Sequence, residues 1–435
     1  MEDVNKINQE FKCIPVFEEK QETTEGKLSG YSISIKDCIC VKGMETCASS
    51  AILKGYKPLF NATAVEKVLE QGGKIIGKTV QDEFGFGSFS LNVGKGYDIP
   101  LNPNDKERVC GGSSGGSACL TKVASFKHIS LAESTGGSIV CPAAYCGVVG
   151  LCPTYGRVSR YGLLDYGNSL DKIGPMAKTV KECALALEII SGFDEKDSTS
   201  LDVPVENYSE LMNEDISGLK IGLIKESIND IQDEVKLAFE KTVEKLKEKG
   251  AIVEEVSLPL NFKYGISTYY IIALSESSTN LSKYCGMRYG AEAELKESFN
   301  EYFSKIRSEK FGDEAKRRIM LGTFARMSGY RDAYYIKATK VRTLLINEYK
   351  ELFKEYDVLI SPTMPNVAPK IKDATKLTPL ENYMMDVLTV GPNLAGLPHI
   401  SVPILEDGKM PVGFMIIGDH LQEGKILQVA KEVEE

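Results

Sequence analysis

Short runs of apolar residues alternate with amphipathic stretches in the first part of the chain. Residues 31–36 (YSISIK) alternate strictly, which predicts a strand with two serines and Lys36 on one face and two isoleucines on the other. Thr63 is expected to cap an amphipathic helix that ends at a glycine pair, and residues 74–78 (KIIGK) predict the next strand. This part of the chain therefore predicts a strand–helix–strand unit.

The second half shows the same alternation on a longer scale. Residues 195–218 are polar and predict a surface crossover, whereas residues 262–356 are mostly helical in pattern. The other predicted elements are strand 219–226, a helix with apolar residues at 235, 239, 243 and 246, strand 251–256, strand 357–363, helix 380–395, and strands at 399–403 and 411–418. Strands that alternate with helices throughout the chain predict a layered α/β fold.

Composition and charge narrow the possible functions. The chain has 435 residues, 43% of them hydrophobic and 26% charged, as in an ordinary globular protein. Its net charge is -9, from 52 basic and 61 acidic residues. A protein that itself grips nucleic acid usually carries a basic excess, so any nucleic acid is expected to bind mainly through a partner. We find no apolar run long enough to span a membrane and no signal peptide, and we expect a cytoplasmic protein.

Eleven cysteines are scattered along the chain, which has only three histidines. No paired CxxC motif is present, and histidines at metal-ligand spacing are missing. We therefore expect no metal site, and buried free thiols in a reducing compartment. His128, His399 and His420 have no motif around them, and we interpret all three as structural or surface residues.

A segment rich in glycine and serine is the strongest local signal. Residues 110–118 read CGGSSGGSA, with four glycines and three serines in the last eight positions. The segment lacks the lysine of a phosphate-binding P-loop and the spacing of a dinucleotide fingerprint. A second block, residues 134–138 (STGGS), follows about 20 residues later. Its small residues allow successive N–H groups to point into one concavity, where a serine could attack a carbonyl group.

A nucleophilic serine needs a base, and no histidine is placed to serve. Lysine can act as a base where burial lowers its pKa, which requires an enclosed site. Lys36 shares its predicted strand face with two serines, as a buried and hydrogen-bonded lysine would. Alone, Lys36 would more often be a solvated residue at a strand end, so its role depends on the neighbouring motifs.

Together these motifs resemble the amidase signature family. The matching blocks are SIKD around Lys36, GGSSGGSA at 111–118, STGGSIVCPAAYCGVVGL at 134–151 and PTYGRVSRYGLLDYGNSLDKIGPMAKTV at 153–180. The resemblance implies an α/β fold with a mixed central β-sheet that helices cover on both faces. It also implies one amidase-signature domain over residues 1–435. A signature core would span about 30–195, and a helical, pocket-forming part about 260–356.

The resemblance further implies a Ser–cisSer–Lys catalytic triad that hydrolyses amides. By motif, Ser138 would be the nucleophile, Lys36 the base, and Ser113 the residue that relays the proton through a cis peptide. The backbone N–H groups of Thr135, Gly136, Gly137 and Ser138 would form the oxyanion hole.

The C-terminal half resembles one branch of the family, the glutaminases of tRNA-dependent amidotransferases. The similar blocks are YYIIALSESSTNLSKYCGMRYG at 269–290, RRIMLGTFARMSGYRDAYYIKATKVRTLL at 317–345 and NLAGLPHISVP at 393–403. This likeness implies that Arg318 binds the carboxylate of glutamine, that Asp386 binds its ammonium group, and that Tyr269 lines the pocket. A free α-amino acid requires one fixed cation and one fixed anion, and arginine can bind a carboxylate with two hydrogen bonds.

The likeness also implies partners. Members of this branch work in three-subunit complexes, so we expect two further subunits, B and C, with mischarged tRNA bound mainly by the partner. No cofactor is expected in this chain, because no P-loop or kinase motif is present, and ATP and Mg²⁺ are expected on the partner. The amidated substrate would be Glu-tRNA(Gln), Asp-tRNA(Asn) or both.

One block departs from the family pattern. The family commonly reads GSDTGGSIR before and after the nucleophile, whereas residues 132–140 read AESTGGSIV. Ser134 therefore replaces an aspartate and Val140 an arginine. Two alternatives follow: a stand-alone amidase with the same triad and another small amide as substrate, and an inactive scaffold protein. The intact serines and lysine argue against the scaffold.

Overall fold

A computed structural model describes residues 2–22, 25–296 and 298–435. Within these ranges, eleven strands form one sheet in the order β1-β3-β2-β4-β6-β5-β10-β11-β9-β7-β8. The strands are β1 Val16–Lys20, β2 Ser32–Lys36, β3 Lys74–Thr79, β4 His128–Ser134, β5 Val149–Cys152, β6 Lys172–Ala177, β7 Lys220–Ile224, β8 Ile252–Val256, β9 Val358–Pro362, β10 His399–Ile404 and β11 Val412–Gly418. The sheet is mixed, since β3, β2 and β4 run parallel while β4 and β6 run antiparallel.

Fifteen α-helices lie in the described part of the chain. They are α1 Glu2–Phe11, α2 Thr63–Glu70, α3 Gly115–Val123, α4 Val140–Cys146, α5 Val180–Ile190, α6 Tyr208–Leu211, α7 Asp233–Glu248, α8 Pro259–Asn280, α9 Phe299–Lys310, α10 Asp313–Arg326, α11 Lys337–Leu352, α12 Ile371–Ala374, α13 Pro379–Met384, α14 Val390–Leu394 and α15 Glu423–Glu434. Short 3-10 turns and one π-helical turn, Asp332–Ile336, connect some of them.

Both faces of the sheet are buried under helices. Successive residues of a strand point to opposite faces, so neighbours in sequence enter different parts of the core. Ile75 packs in a cluster with residues of α2, α5 and α15, whereas Ile76 packs in a second cluster with residues of α3 and α4. The observed fold therefore agrees with the predicted mixed sheet covered on both faces.

The parallel strands bring the candidate residues to one edge of the sheet. Lys36 is the last residue of β2, and Ser134 is the last residue of β4, its parallel neighbour. Parallel strands present their carboxyl ends at the same edge, where α/β proteins commonly bind ligands. The loop that carries Ser113 leads into α3, which precedes β4. The fold thus places both serine-rich loops at the edge where Lys36 ends its strand.

The predicted elements are largely confirmed, with two corrections. Thr63 does not cap α2: Ala62 occupies that position, and the Thr63 hydroxyl donates a hydrogen bond to Asp194 at 2.6 Å. The predicted helix 380–395 is two short helices, α13 and α14, with residues 385–389 between them. A continuous helix is excluded by Pro392, which has no N–H and would clash with the carbonyl of residue 388, so it fits only in the first turn of a new helix, α14.

All eleven cysteines are free, and ten of them are buried. No group of three or more His, Cys, Asp or Glu side chains that could hold a metal ion is found in the ranges that the structure describes. His128 is buried against the Ser34 hydroxyl, and burial lowers its pKa to about 3. None of the helices in the described ranges has the length and apolar character needed to cross a membrane.

Candidate active site

Lys36 lies at the centre of a buried polar cluster. Its side chain is fully buried, and its Nζ lies 2.7 Å from the hydroxyl oxygen of Ser113. The Nζ also contacts the carbonyl oxygen of Glu133 at 2.8 Å and one carboxylate oxygen of Glu133 at 2.9 Å. Lys36 and Ser113 are therefore in direct hydrogen-bond contact, in the enclosed setting that a lysine base requires.

Ser113 and Ser138 lie on adjoining loops. The peptide bond between Gly112 and Ser113 is cis, the form that the resemblance implied. The N–H of Ser114 donates a hydrogen bond of 3.2 Å to the carbonyl oxygen of Ser138, which joins the two loops next to the triad. Ser138 is 6% exposed, whereas Ser113 and Lys36 are fully buried. Of the three, only Ser138 is open to a substrate.

The loop before Ser138 is held by hydrogen bonds to its carbonyl groups. The Ser134 hydroxyl donates to the carbonyl of Gly136 at 2.9 Å, and the side-chain amide of Asn393 donates to that of Thr135. The N–H of Cys141 donates to the carbonyl of Gly137 at 2.8 Å. Fixing three successive carbonyl groups fixes the peptide planes, and hence the N–H directions that an oxyanion hole depends on.

Tyr269 packs directly against this loop. A Cβ atom added to Gly136 would lie 2.9 Å from the ring of Tyr269, and one added to Gly137 would lie 2.6 Å from the hydroxyl of Thr389. Real Cβ atoms do not approach other atoms so closely, so both positions need glycine. The structure therefore places Tyr269 beside the candidate oxyanion hole.

Arg318 is buried among aromatic rings on α10. Its guanidinium lies over the rings of Phe86, Tyr166, Tyr270 and Tyr383, at 5.1 to 5.7 Å from their centroids. Its Nε donates to Glu314 at 2.8 Å, and its NH1 donates to the Tyr166 hydroxyl. Cation–π attraction helps to orient the guanidinium, and its charge also forms an ion pair with Glu314.

Asp386 is the buried anion of the same region. It accepts hydrogen bonds from the hydroxyl groups of Tyr270, at 2.6 Å, and Ser88, at 2.9 Å. Burial raises the pKa of Asp386, and these two hydrogen bonds and the charge of Arg318 oppose that rise. Tyr270 therefore contacts both the predicted cation and the predicted anion, and it belongs to the same pocket.

A cavity of about 300 Å³ opens onto this pocket. Residues from three separate parts of the chain line it, among them Ser88, Glu314, Arg318 and Tyr383. This volume suits a small polar metabolite better than a drug-sized ligand. Of the residues predicted for the site, Arg318 lines the cavity, whereas Lys36, Ser113, Ser138, Tyr269 and Asp386 do not.

Several residues of the site could not be identified from the sequence. Glu133, Tyr270 and Glu314 contact Lys36, Asp386 and Arg318 respectively. The one available signal was Glu133, an acidic residue at the position where the common family block carries serine. Tyr270 follows Tyr269 directly in the chain, and helical geometry alone does not tell which of two adjacent tyrosines faces a pocket.

Glu83 joins segments that lie far apart in the sequence. It is buried, and its carboxylate accepts hydrogen bonds from the Ser50 hydroxyl and, at 2.8 Å, from the N–H of Gly312, the residue that precedes α10. Burial raises the pKa of Glu83 from its ordinary value of 4.5 to about 7. The nearby Asp82, which accepts hydrogen bonds from the N–H groups of Ser90 and Asn92, has its pKa raised by burial to about 6.

Because of the raised pKa of Glu83, we expect the free energy of unfolding to fall as pH rises. Between its unfolded value of 4.5 and about 7, the folded protein binds a proton that the unfolded chain releases. The stabilisation is complete below 4.5 and is lost as pH rises through about 7, a change of about 3 kcal/mol. In urea unfolding at about pH 5 and about pH 8, Glu83→Gln should lose this part of the pH dependence. The exposed Glu248→Gln should keep the wild-type pH dependence. If the free energy of unfolding changed equally between the two pH values in wild type and in Glu83→Gln, the assignment would be contradicted.

The comparisons with known proteins agree with this geometry. The sequence model of the Amidase family matches residues 16–427 of the chain. The A subunit of a glutamyl-tRNA(Gln) amidotransferase from Halothermothrix orenii is 49% identical over 413 residues, which cover 94% of this chain and 85% of the relative. The protein of the same name from Sulfurihydrogenibium is 48% identical over 404 residues, covering 93% of this chain and 82% of the relative.

Solved structures give the same result. The A subunit of a glutamyl-tRNA(Gln) amidotransferase from Thermotoga maritima has a TM-score of 0.85 and 38% identity, covering 100% of this chain and 89% of that one. A 6-aminohexanoate cyclic dimer hydrolase shares the fold, with a TM-score of 0.86 and 21% identity, covering 100% of this chain and 91% of that one. From the family match and the identity to these relatives, we conclude that the chain belongs to the amidase family.

Proposed function

We propose that this chain is the glutaminase subunit of a tRNA-dependent amidotransferase and hydrolyses glutamine to glutamate and ammonia. Two features support the substrate: the names of relatives that are nearly half identical over most of the chain, and the charges in the pocket. The observation that carries the proposal is a buried cation, Arg318, and a buried anion, Asp386, both in contact with Tyr270. A free α-amino acid carries the two complementary charges.

The proposed reaction begins at the contact between Lys36 and Ser113. Neutral Lys36 takes the hydroxyl proton of Ser113 while Ser113 takes that of Ser138, whose oxygen attacks the side-chain amide carbon of glutamine. The negative charge that develops on the carbonyl oxygen is stabilised by the N–H groups of residues 135–138. Lys36 then returns the proton, through Ser113, to the leaving nitrogen. Ammonia departs, and a γ-glutamyl ester remains on Ser138.

Water completes the cycle. It gives a proton to the same relay, attacks the ester carbon and releases glutamate, and Ser138 recovers its proton. The ammonia would pass to subunits B and C, where a partner uses ATP and Mg²⁺ to activate Glu or Asp on a mischarged tRNA. The partners, their cofactors and a cytoplasmic location belong to the same proposal, and the acidic net charge of -9 is in keeping with tRNA binding by a partner.

The alternative is a stand-alone amidase for another small amide. It would use the same triad but would need neither Arg318 nor Asp386. The two functions therefore differ in what the pocket charges contribute. They also differ in dependence on a partner, because only the first should release ammonia more readily in the assembled complex.

Removal of the pocket anion should separate these functions. Asp386→Asn leaves the shape intact but removes the charge that faces an α-ammonium group, a loss of about 2 kcal/mol or more. We expect the KM for glutamine to rise about thirtyfold or more, with less than about a threefold change for butyramide, which has no ammonium group. Asp373→Asn, on exposed helix α12, is the matched control and should change neither. Little or no effect on either amide would favour the stand-alone amidase.

Ammonia release is the direct test of the proposed function. It is measured from glutamine, with and without the co-expressed partner subunits, for wild type and for Ser138→Ala. We expect release by the complex that disappears in the variant. Release from other amides by the chain alone, with glutamine left intact, would overturn the proposal and favour the general amidase.

A further inference from the structure

Glu133 is a buried acid in direct contact with the candidate base. It is 3% exposed and lies next to the end of strand β4, one residue before Ser134. In the block GSDTGGSIR that is common in the family, this position is serine, which carries no charge. A buried carboxylate is costly unless it is paired and hydrogen-bonded. The buried position of Glu133 in this chain therefore needs a physical explanation.

The contacts of Lys36 explain how Glu133 could orient it. Three acceptors surround Nζ: the Ser113 hydroxyl oxygen, the Glu133 carbonyl oxygen and one Glu133 carboxylate oxygen. A charged lysine donates three hydrogen bonds, so it would satisfy all three. A neutral lysine has two hydrogens and one lone pair. If both hydrogens go to Glu133, the lone pair points at Ser113, the direction that a base requires.

The second carboxylate oxygen of Glu133 is held by Thr135. The Thr135 hydroxyl lies 2.8 Å from Glu133 and 2.8 Å from Asp171, yet it has a single proton to donate. One of the two carboxyl groups must therefore be protonated and donate to Thr135. Burial, followed by the nearby charge of Glu133, raises the pKa of Asp171 well above its ordinary range. We therefore assign the proton to Asp171, and the carboxylate of Glu133 forms the 2.9 Å ion pair with Lys36.

These contacts form one directed chain. With the proton assigned to Asp171, its 2.8 Å contact with Thr135 runs from Asp171 to the Thr135 hydroxyl oxygen, while Thr135 and Lys36 both donate to Glu133. The other carboxyl oxygen of Asp171 accepts from the N–H groups of Tyr166, at 2.9 Å, and Gly167, at 3.0 Å. Every buried proton in this chain has an acceptor, so the arrangement is internally consistent.

We propose that Glu133 is a positioning residue for the base: its carbonyl and carboxylate aim the lone pair of Lys36 at Ser113, and its negative charge sets the pH range in which Lys36 is active. This inference rests on the proposed role of the triad in amide hydrolysis. The charge of Glu133 stabilises the ammonium form of Lys36, so the active neutral form requires a higher pH than it would without that charge.

Other titratable groups near Lys36 do not replace this charge. Those that face the Lys36–Glu133 pair from neighbouring elements are Cys38, Asp82, Cys152 and Asp171. Burial raises the pKa of both thiols, so they are neutral in the working range. Burial raises the pKa of Asp82 to about 6, so above that pH its charge also acts on Lys36, but it does so equally in wild type and in variants of residue 133, while Asp171 carries a proton. Lys172 is paired with Ser134 in the sheet and lies on the opposite face from Glu133.

Glu133→Gln is the matched variant because it removes only the charge. Its side-chain oxygen can still accept from Lys36, and its NH₂ group can donate to the hydroxyl oxygen of Thr135, whose two lone pairs allow it to accept from protonated Asp171 as well. The ascending limb of kcat/KM for glutamine against pH, measured from about pH 5 to about pH 10 in the assembled enzyme, should move to lower pH by about one to three units. The plateau rate should change by less than about tenfold.

Glu133→Ser provides a second neutral variant, with the residue that the family block carries. It should move the limb in the same direction, with a lower plateau because the side chain no longer reaches Lys36. A limb that stays at the wild-type pH in both variants, or that moves to higher pH, would overturn the inference. A uniform loss of rate at all pH values would do the same, since that is the signature of a purely structural role.

Labelling of Ser138 by a reagent other than glutamine tests the role of Glu133 independently of the proposed function. Ser138 can attack an alkyl fluorophosphonate, forming a phosphorus–oxygen bond and releasing fluoride while the proton passes to Lys36. The pH dependence of this labelling should shift in Glu133→Gln as hydrolysis does, whether or not glutamine is the substrate. A shift in labelling without glutamine hydrolysis would refute the glutaminase and retain the inference. Labelling without any shift would refute the inference, and Ser138→Ala is the unlabelled control.

Discussion

Replacing Ser138 with alanine is expected to lower glutamine hydrolysis by at least about a thousandfold. Ser138 is the one triad member with measurable exposure, at 6%, and it lies at the end of the loop whose N–H groups would hold the oxyanion. Without its hydroxyl the enzyme loses the covalent route, while the pocket of Arg318 and Asp386 remains. Binding of glutamine, measured by calorimetry, should therefore stay within about threefold of wild type.

The matched control for this prediction is Ser282→Ala. Ser282 is exposed, and its hydroxyl donates only to the carbonyl of Thr279. Its substitution should leave kcat/KM within about twofold of wild type. If Ser138→Ala kept more than about a tenth of wild-type activity, another nucleophile would be at work and the triad assignment would be wrong.

The second large effect is expected for Lys36→Met. Methionine fills a similar volume but removes both the base and the cation that faces the Glu133 carboxylate at 2.9 Å. Breaking a buried ion pair from one side is strongly destabilising, by about 3–5 kcal/mol, because it leaves an uncompensated charge. We therefore expect loss of hydrolysis by at least about a thousandfold, together with a large decrease in the free energy of unfolding in urea.

A double variant distinguishes the two losses. Lys36→Met with Glu133→Gln removes both charges, so at least about 2 kcal/mol of stability should return while activity stays absent. Lys74→Met is the matched control, since Lys74 is paired at the surface with Glu19 and its loss should cost less than about 1 kcal/mol. If the double variant were no more stable than Lys36→Met, the buried pair could not be the source of the destabilisation.

The sequence predicted the sheet well because periodicity reports burial. The alternation of residues 31–36 correctly placed Lys36 with Ser34 on one strand face, and Ser34 does form a hydrogen bond of 2.9 Å with Ser130 of the parallel neighbour. The four apolar positions predicted on one side of α7 are all buried. These features depend on local pattern alone, which a single sequence contains.

The parts that sequence could not supply depend on contacts between distant segments. Tyr270 and Asp386 are separated by 116 positions, and Thr135 and Asp171 by 36, so no local pattern reports these hydrogen bonds. The incorrect helix 380–395 followed from apolar spacing alone, although Pro392 within it can occupy only the first turn of a helix. The family motifs identified the triad candidates, but not Glu133, which departs from those motifs.

The central claim is that Ser138 carries the γ-glutamyl group during turnover. Its most direct test is to mix the assembled enzyme with glutamine, quench it in acid within one turnover, and analyse the proteolytic peptides by mass spectrometry. We expect one glutamyl group on the peptide that contains Ser138, absent in Ser138→Ala and more abundant at short times. Ammonia release with no glutamyl group on Ser138, or with that group on another residue, would contradict the claim.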